Sequence, residues 1–223
     1  MSIHIYGYGT VGQAVHSLFK DENVEISDPQ KGYEIKDYEI TDPVDGSLIV
    51  FICLDDLEVI KQIIKKYCFA TVVIKSTLKT SDVPEDAVVN PEFLCERTSF
   101  EDIKYEHQIV GGDYAQAKPL LDLYDKYRIP YTLCSVKEAC YAKFTHNLYS
   151  IWKHTFWEMI HDVTSDSRLM YDLYALHPTD DLEIVGLDGK RGVQGKCFPK
   201  NLEAVKDSHV LLSALYNYLK ELK

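Results

Sequence analysis

What the sequence lacks narrows its reading first. No stretch of the 223 residues approaches the roughly twenty consecutive apolar residues of a membrane-spanning helix, and the opening segment has neither a basic region nor an apolar core. The expectation is therefore a cytoplasmic protein with no membrane partner. There is also no block of like charges. The formal net charge of −11 is spread along the chain, which argues against a nucleic-acid surface and leaves any anionic ligand to local donors. The six cysteines (53, 68, 95, 134, 140 and 197) show no metal-ligand spacing, and several lie inside apolar segments, as suits a reducing compartment. Internal repeats and low-complexity segments are absent. What is present is a composition 46% hydrophobic, enough for one large domain or two small ones. The 16 tyrosines point to a broad aromatic core or a subunit interface.

The chain opens on a short apolar strand, Ser2 to Tyr6, followed by Gly7-Tyr8-Gly9-Thr10-Val11-Gly12 and a helical segment from Gln13 to Lys20. That spacing is the dinucleotide fingerprint, with one glycine for the tight turn, one for close approach to a diphosphate and one for packing helix on strand. The next strand, Val24 to Ser27, ends on Asp28, an acid about twenty residues beyond the fingerprint, where ribose hydroxyls are bound. Gly7, Gly9, Thr10, Val11, Gly12 and Asp28 are thus the expected cofactor residues, with Thr77 further along the chain, and the acid favours NAD over NADP.

Residues Lys31 to Gly46 are polar and poorly patterned and read as loop. Alternation then resumes: Leu48 to Cys53 is a continuous apolar run of the buried-parallel-strand kind, Leu57 to Lys66 a helix and Thr71 to Lys75 a strand. Ala87 to Val89 and His107 to Val110 read as strands, Ala115 to Tyr127 as a helix and Tyr131 to Cys134 as a last strand. The fold class expected is α/β, a Rossmann-type doubly wound parallel sheet over residues 1–135, with ligands beyond the carboxyl ends of its strands. Thr77 and Glu92 both follow strands at that edge.

Residues 136–223 read as an all-helical domain. One long helix runs from Val136 to about Asp162, and Tyr141, Phe144, Leu148, Ile151, Trp152, Phe156, Met159, Ile160 and Val163 give it an apolar stripe broader than a monomer surface requires. A shorter helix begins near Ser165, and Leu202 to Leu222 reads as the last. Lys143 and Asn147, four apart, share a face of the long helix. His154, Glu158 and His161 share a face too, but without thiolates or a tighter local motif they are not read as a metal site, and no metal is expected.

The remaining chemical address is Gly195-Lys196-Cys197-Phe198-Pro199-Lys200-Asn201. A thiol between two lysines and ahead of a helix is placed where thiolate is favoured, as a nucleophilic cysteine requires. A partly buried structural cysteine is the alternative on this heptapeptide alone.

Together these pieces resemble the UDP-glucose/GDP-mannose dehydrogenase family, in order and over most of the chain. Besides the glycine motif, Val72-Val73-Ile74-Lys75-Ser76-Thr77 resembles its KST segment and Asn90-Pro91-Glu92-Phe93-Leu94-Cys95-Glu96 its NPEFLxEG segment. Glu138 to Asn147 resembles the start of its central helix, and Gly195 to Asn201 its GxCxPKD. The resemblance implies oxidation of a nucleotide-sugar primary alcohol, UDP-glucose or similar, to a carboxylate with two NAD molecules and a cysteine-bound thioester. By position, Cys197 is the implied nucleophile, and Lys143 and Asn147 stabilise the oxyanion. Thr77 and Glu92 position water and assist acid–base steps. Phe93, Leu94 and Glu96 stand in the substrate segment, with Lys200 near its phosphate or carboxylate end. The resemblance further implies a homodimer joined through the 136–163 helix.

Several positions depart from the family pattern. Asn201 replaces an aspartate that handles the hydrolytic water, so thioester hydrolysis is expected to be slow. Leu54-Asp55-Asp56 replaces a Thr-Pro segment beside the cofactor, and the acidic pair is less welcoming to a diphosphate. Arg97 replaces a glycine, and the resemblance does not extend to the family's C-terminal UDP-binding domain. Two other readings are kept: a 3-hydroxyisobutyrate-type β-hydroxyacid dehydrogenase, which shares the two halves and the Lys-x-x-x-Asn pair, and a catalytically degenerate homologue acting in NAD binding or assembly.

Overall fold

The computed structural model describes residues 1–34, 48–94, 103–104, 106–164, 167–175, 197–208 and 210–221. They divide into two compact units, Met1–Lys143 and Phe144–Lys223.

The first unit is built on strands β1 (Ser2–Tyr6), β2 (Asn23–Ser27), β3 (Leu48–Ile52), β4 (Thr71–Ile74), β5 (Ala87–Val89), β6 (Gln108–Gly111) and β7 (Tyr131–Cys134). They form one seven-stranded sheet in the order β2-β1-β3-β4-β5-β6-β7. Its helices are α1 (Thr10–Leu18), α2 (Leu57–Lys66) and α3 (Tyr114–Tyr127). The continuous apolar run of β3 is explained by burial on both faces. Ile49 and Phe51 join a cluster with Ala14 and Val15 of α1 and Leu120 and Tyr124 of α3. The alternate residues, Val50 and Ile52, join Ile60, Ile63 and Ile64 of α2. Side chains that alternate sides need apolar residues at every position when both sides are covered.

Two features depart from a wholly parallel, doubly wound sheet. β6 runs antiparallel to β5, meeting it at the single pair Val89 and Gly111, and β7 follows β6 in parallel. Between β4 and β5 the chain makes a 3₁₀ turn, Thr80–Asp82, where a doubly wound unit would place a helix.

Helix α2 begins at the residue expected because Asp56 caps it, accepting from Glu58 N at 3.0 Å and Val59 N at 3.1 Å. Helix α1 begins at Thr10, three residues ahead of the expected Gln13.

Helix α4 (Val136–Thr164) is the long helix expected, 29 residues from end to end. It is followed by α5 (Ser167–Ala175), α6 (Cys197–Val205) and α7 (Val210–Glu221). The single helix expected over Leu202 to Leu222 is instead broken by a 3₁₀ turn at Lys206–Ser208. Ile151, Leu202, Leu215 and Leu219 form the apolar core of the second unit. Among the described residues, no helix is long and apolar enough to cross a membrane.

Candidate active site

The glycine loop between β1 and α1 is shaped by what cannot stand there. Gly7 has φ +88°, and a Cβ on it would lie 2.6 Å from the Cys53 carbonyl oxygen. A Cβ on Gly12 would lie 2.0 Å from the Gly7 carbonyl oxygen, so only glycine lets α1 pack against the turn. Gly9 differs, since a Cβ there meets nothing within 4 Å and the backbone faces open space. Gly7 N donates to Ser27 O at 2.9 Å, and Cys53 N to Tyr6 O at 2.7 Å, seating the loop between the ends of β2 and β3.

Thr10 and Val11 open α1, whose first turn carries no acidic side chain to oppose an anion. Asp28 follows β2 at the carboxyl edge, and its Oδ2 accepts from Tyr8 N at 2.8 Å. An open glycine, an acid-free helix start and an acid beyond the second strand together fit a dinucleotide. The acidic pair after β3 is less hostile than its sequence suggested, because the Asp56 carboxylate is turned onto the start of α2.

At the same edge, Thr77 lies three residues beyond β4 and Glu92 three beyond β5. Glu92 is held in two ways: Oε2 accepts from Leu94 N at 2.8 Å, and Oε1 lies 3.1 Å from Lys143 Nζ. The Lys143 ammonium also sits 5.3 Å from the centroid of the Phe93 ring. The fold thus brings Glu92, Phe93 and Lys143 into one group, although Lys143 lies fifty-one residues further along the chain. Leu94 packs against the main core. Glu96 lies outside the described residues.

Lys75 and Asn90, two residues ahead of Thr77 and Glu92, belong to a buried polar network no member of which has a role legible in the sequence. Lys75, 2% exposed, donates to Asn90 Oδ1 at 2.8 Å and Gln108 Oε1 at 3.3 Å. Asn90 donates to Gln108 Oε1 at 3.2 Å and the Ile109 carbonyl at 2.8 Å, while Tyr124 OH donates to Asn90 Oδ1 at 2.6 Å. Gln108 passes the chain on, its Nε2 donating to Glu106 Oε2 at 3.0 Å. Burial holds the Lys75 ammonium below its usual range, opposed by Glu106, and burial raises the Glu106 carboxyl, opposed by Lys75. The only sequence signal was a lysine closing an apolar strand.

Burial pushes the Cys53 thiol up to about 12 and also raises those of Cys134 and Cys140. None of these three supplies a thiolate near neutral pH.

In the second unit, Asn147 lies on α4 with its side chain buried, and its Nδ2 has no hydrogen-bond partner among the described residues. Cys197 is the first residue of α6; its side chain lies outside the described set. Lys200 is exposed on that helix and Asn201 buried, at 2%. His154 and Glu158 are buried on α4, and among the described residues no three His, Cys, Asp or Glu side chains gather as a metal site.

The mostly parallel sheet and the glycine loop on its first strand define a Rossmann-type dinucleotide-binding fold, here continued by helices. No protein-family model matches the chain, and no curated protein matches it by sequence. Solved structures do. The UDP-D-ManNAc dehydrogenase of Pyrococcus horikoshii is similar over all of this chain and 69% of its own, at 18% identity and a TM-score of 0.76. The GDP-mannose dehydrogenase of Pseudomonas aeruginosa matches all of this chain and 69% of its own, at 21% identity and a TM-score of 0.61. The 3-hydroxyisobutyrate dehydrogenase of Mycobacterium tuberculosis matches 99% of this chain and 92% of its own, at 13% identity and a TM-score of 0.69. At these identities the likeness establishes the fold.

Proposed function

We propose that this chain is an NAD-dependent dehydrogenase that oxidises the primary alcohol of a nucleotide sugar, UDP-glucose or a similar substrate, to a carboxylate. The observation that carries the reading is the Glu92–Lys143 pair, a desolvated carboxylate and ammonium 3.1 Å apart at the carboxyl edge of a dinucleotide-binding sheet. Gly7, Gly9, Thr10, Val11 and Gly12 cradle the diphosphate, and Asp28 takes the ribose hydroxyls. When bound, NAD supplies the hydride acceptor for each oxidation.

The roles of the protein groups follow from their chemistry. The Lys143 ammonium and the Asn147 amide stabilise negative charge on the substrate oxygen as the alcohol becomes an aldehyde. The orphaned, buried Asn147 Nδ2 supports that role, since an unsatisfied donor is costly unless an acceptor arrives. The Cys197 thiolate adds to the aldehyde carbon, giving a thiohemiacetal, and removal of a second hydride leaves a thioester. Thr77 and Glu92 direct water onto that carbonyl, releasing the carboxylate and returning the thiol. Phe93, Leu94, Glu96 and Lys200 are the further substrate-binding residues. Asn201, without the acidity of an aspartate, slows the last step, so acyl-enzyme accumulates on Cys197. The chain works as a homodimer through the 136–163 helix.

The test is to count NADH formed per molecule of alcohol substrate consumed. Two are expected, with Cys197→Ser halting the reaction after the first. A count of one with a fully active Cys197→Ser variant would transfer the assignment to the 3-hydroxyisobutyrate type. That second reading is supported by the structural likeness to the M. tuberculosis enzyme, at a TM-score of 0.69.

A further inference from the structure

We infer that Lys31 is a second determinant of cofactor choice, an ammonium fixed beside Asp28 that lets the adenosine end of the site accept a ribose 2′-phosphate. The inference rests on the dinucleotide reading of the glycine loop. The segment after β2 is a small closed turn. Asp28 N donates to Tyr33 O at 2.9 Å, Tyr33 N to Asp28 O at 3.1 Å, and Lys31 N to Asp28 O at 2.9 Å. Gly32 completes it in the left-handed region, φ +74°, with its N–H on Pro29 O at 3.2 Å. Lys31 therefore projects from a turn whose backbone is internally paired, not from a slack loop.

Both charged side chains of this turn grip the same residue of the glycine loop. Asp28 Oδ2 takes the Tyr8 N–H at 2.8 Å, while Lys31 Nζ donates to the Tyr8 carbonyl at 2.6 Å. The Tyr33 ring meets the Tyr8 ring edge-on at 5.2 Å, adding an aromatic tie between turn and loop. One amino acid's N–H and C=O are roughly 3 Å apart, so the carboxylate and ammonium heads lie within about one Debye length of each other.

An acid standing alone beyond the second strand repels a 2′-phosphate and selects NAD. Here that repulsion is offset twice. One oxygen of Asp28 is engaged by a backbone donor, and a cation stands beside it. The Lys31 ammonium has three donors and spends one on Tyr8 O, leaving two for phosphate oxygens. Asp28 keeps Oδ1 for the ribose, so the two residues divide the ribose edge between a hydroxyl acceptor and a phosphate donor.

The experiment is fluorescence titration of the full chain with NADH and with NADPH, in wild type, Lys31→Ala and Lys31→Arg, at low and high salt. Wild type is expected to bind NADPH within about tenfold of NADH at low salt, and the NADPH-to-NADH affinity ratio should fall about tenfold in Lys31→Ala. Lys31→Arg should keep the wild-type ratio, since charge and reach persist, and salt should erode NADPH binding more steeply. If NADH binds and the ratio is the same in Lys31→Ala as in wild type, the inference fails while the dinucleotide site stands. If neither nucleotide binds, the dinucleotide reading fails and this inference goes with it.

Discussion

Glu92 and Lys143 form an ion pair at 3.1 Å in which the side chains are only 14% and 6% exposed. Water contributes little to solvating either charge, so each depends on the other. Removing one partner strands the other in a poorly solvated place. Lys143→Met is expected to cost about 2–4 kcal/mol in urea unfolding, and the Glu92→Gln/Lys143→Met double variant appreciably less than the sum of the singles. Turnover should fall on the order of a hundredfold or more in either single variant. Additive single effects would show that the two charges do not sense one another.

The glycine loop separates folding from binding at two positions. Gly12→Ala places a Cβ against the Gly7 carbonyl and should destabilise the protein by about 3 kcal/mol or more. Gly9→Ala meets open space, so the fold should lose no more than about 1 kcal/mol while NADH affinity drops at least about tenfold. Thermal melts beside NADH titrations read both. A Gly9→Ala variant that binds NADH like wild type would move the diphosphate away from this loop.

His4 makes stability depend on pH. It is buried on β1, with Nδ1 3.2 Å from the Tyr67 hydroxyl, which also meets the Tyr6 hydroxyl at 2.7 Å. Its Nε2 lies 3.5 Å from the Glu25 carboxylate. Burial holds its pKa below the usual 6.5, against the pull of Glu25 and with a small push from Lys66. Between that lowered value and 6.5 the unfolded chain binds more protons than the folded one. The His4 contribution is therefore present above 6.5 and lost as pH falls. Unfolding free energy should decline from about pH 7.5 to about pH 5.5, and less steeply in His4→Asn. Parallel pH profiles would remove His4 from the account.

Helix α4 exposes Tyr141, Tyr149, Trp152 and Phe156 at 55%, 55%, 44% and 47%. Steps of eight, three and four residues keep them within one face. An aromatic stripe this exposed fits a partner copy, and light scattering at micromolar protein should give a dimer mass. Trp152→Arg with Phe156→Arg should give a monomer that remains helical by circular dichroism. A wild-type monomer mass overturns the interface.

The fold was legible where one local signal was unopposed. The apolar run at 48–53 and the helix at 57–66, with an acid before it and lysines at its end, were found almost to the residue. The reversal of β6 and β7 was not legible, because a strand's alternation is the same in either direction. Nor was the break at Lys206–Ser208, where Leu202 and Val210, eight residues apart, would share a face of one continuous helix. At the site, Glu92 and Lys143 were named from motif position, but nothing local says that they meet. Lys75 and Lys31 are illegible for a common reason: a lysine in sequence reads as solvated, and only the surrounding acceptors reveal otherwise.

The single main-chain pair joining β5 to β6 has a mechanical consequence. In an ordinary sheet, successive backbone hydrogen bonds carry load from strand to strand. Across this seam side chains share the load, with Lys75 and Asn90 on one side, Gln108 and the Ile109 carbonyl on the other, and Tyr124 reaching Asn90 from α3. The seam is fastened by this polar cluster and by the apolar core that Val73 and Val88 share with Val110. Loosening the polar cluster alone would leave the apolar core to hold β6 and β7 in place.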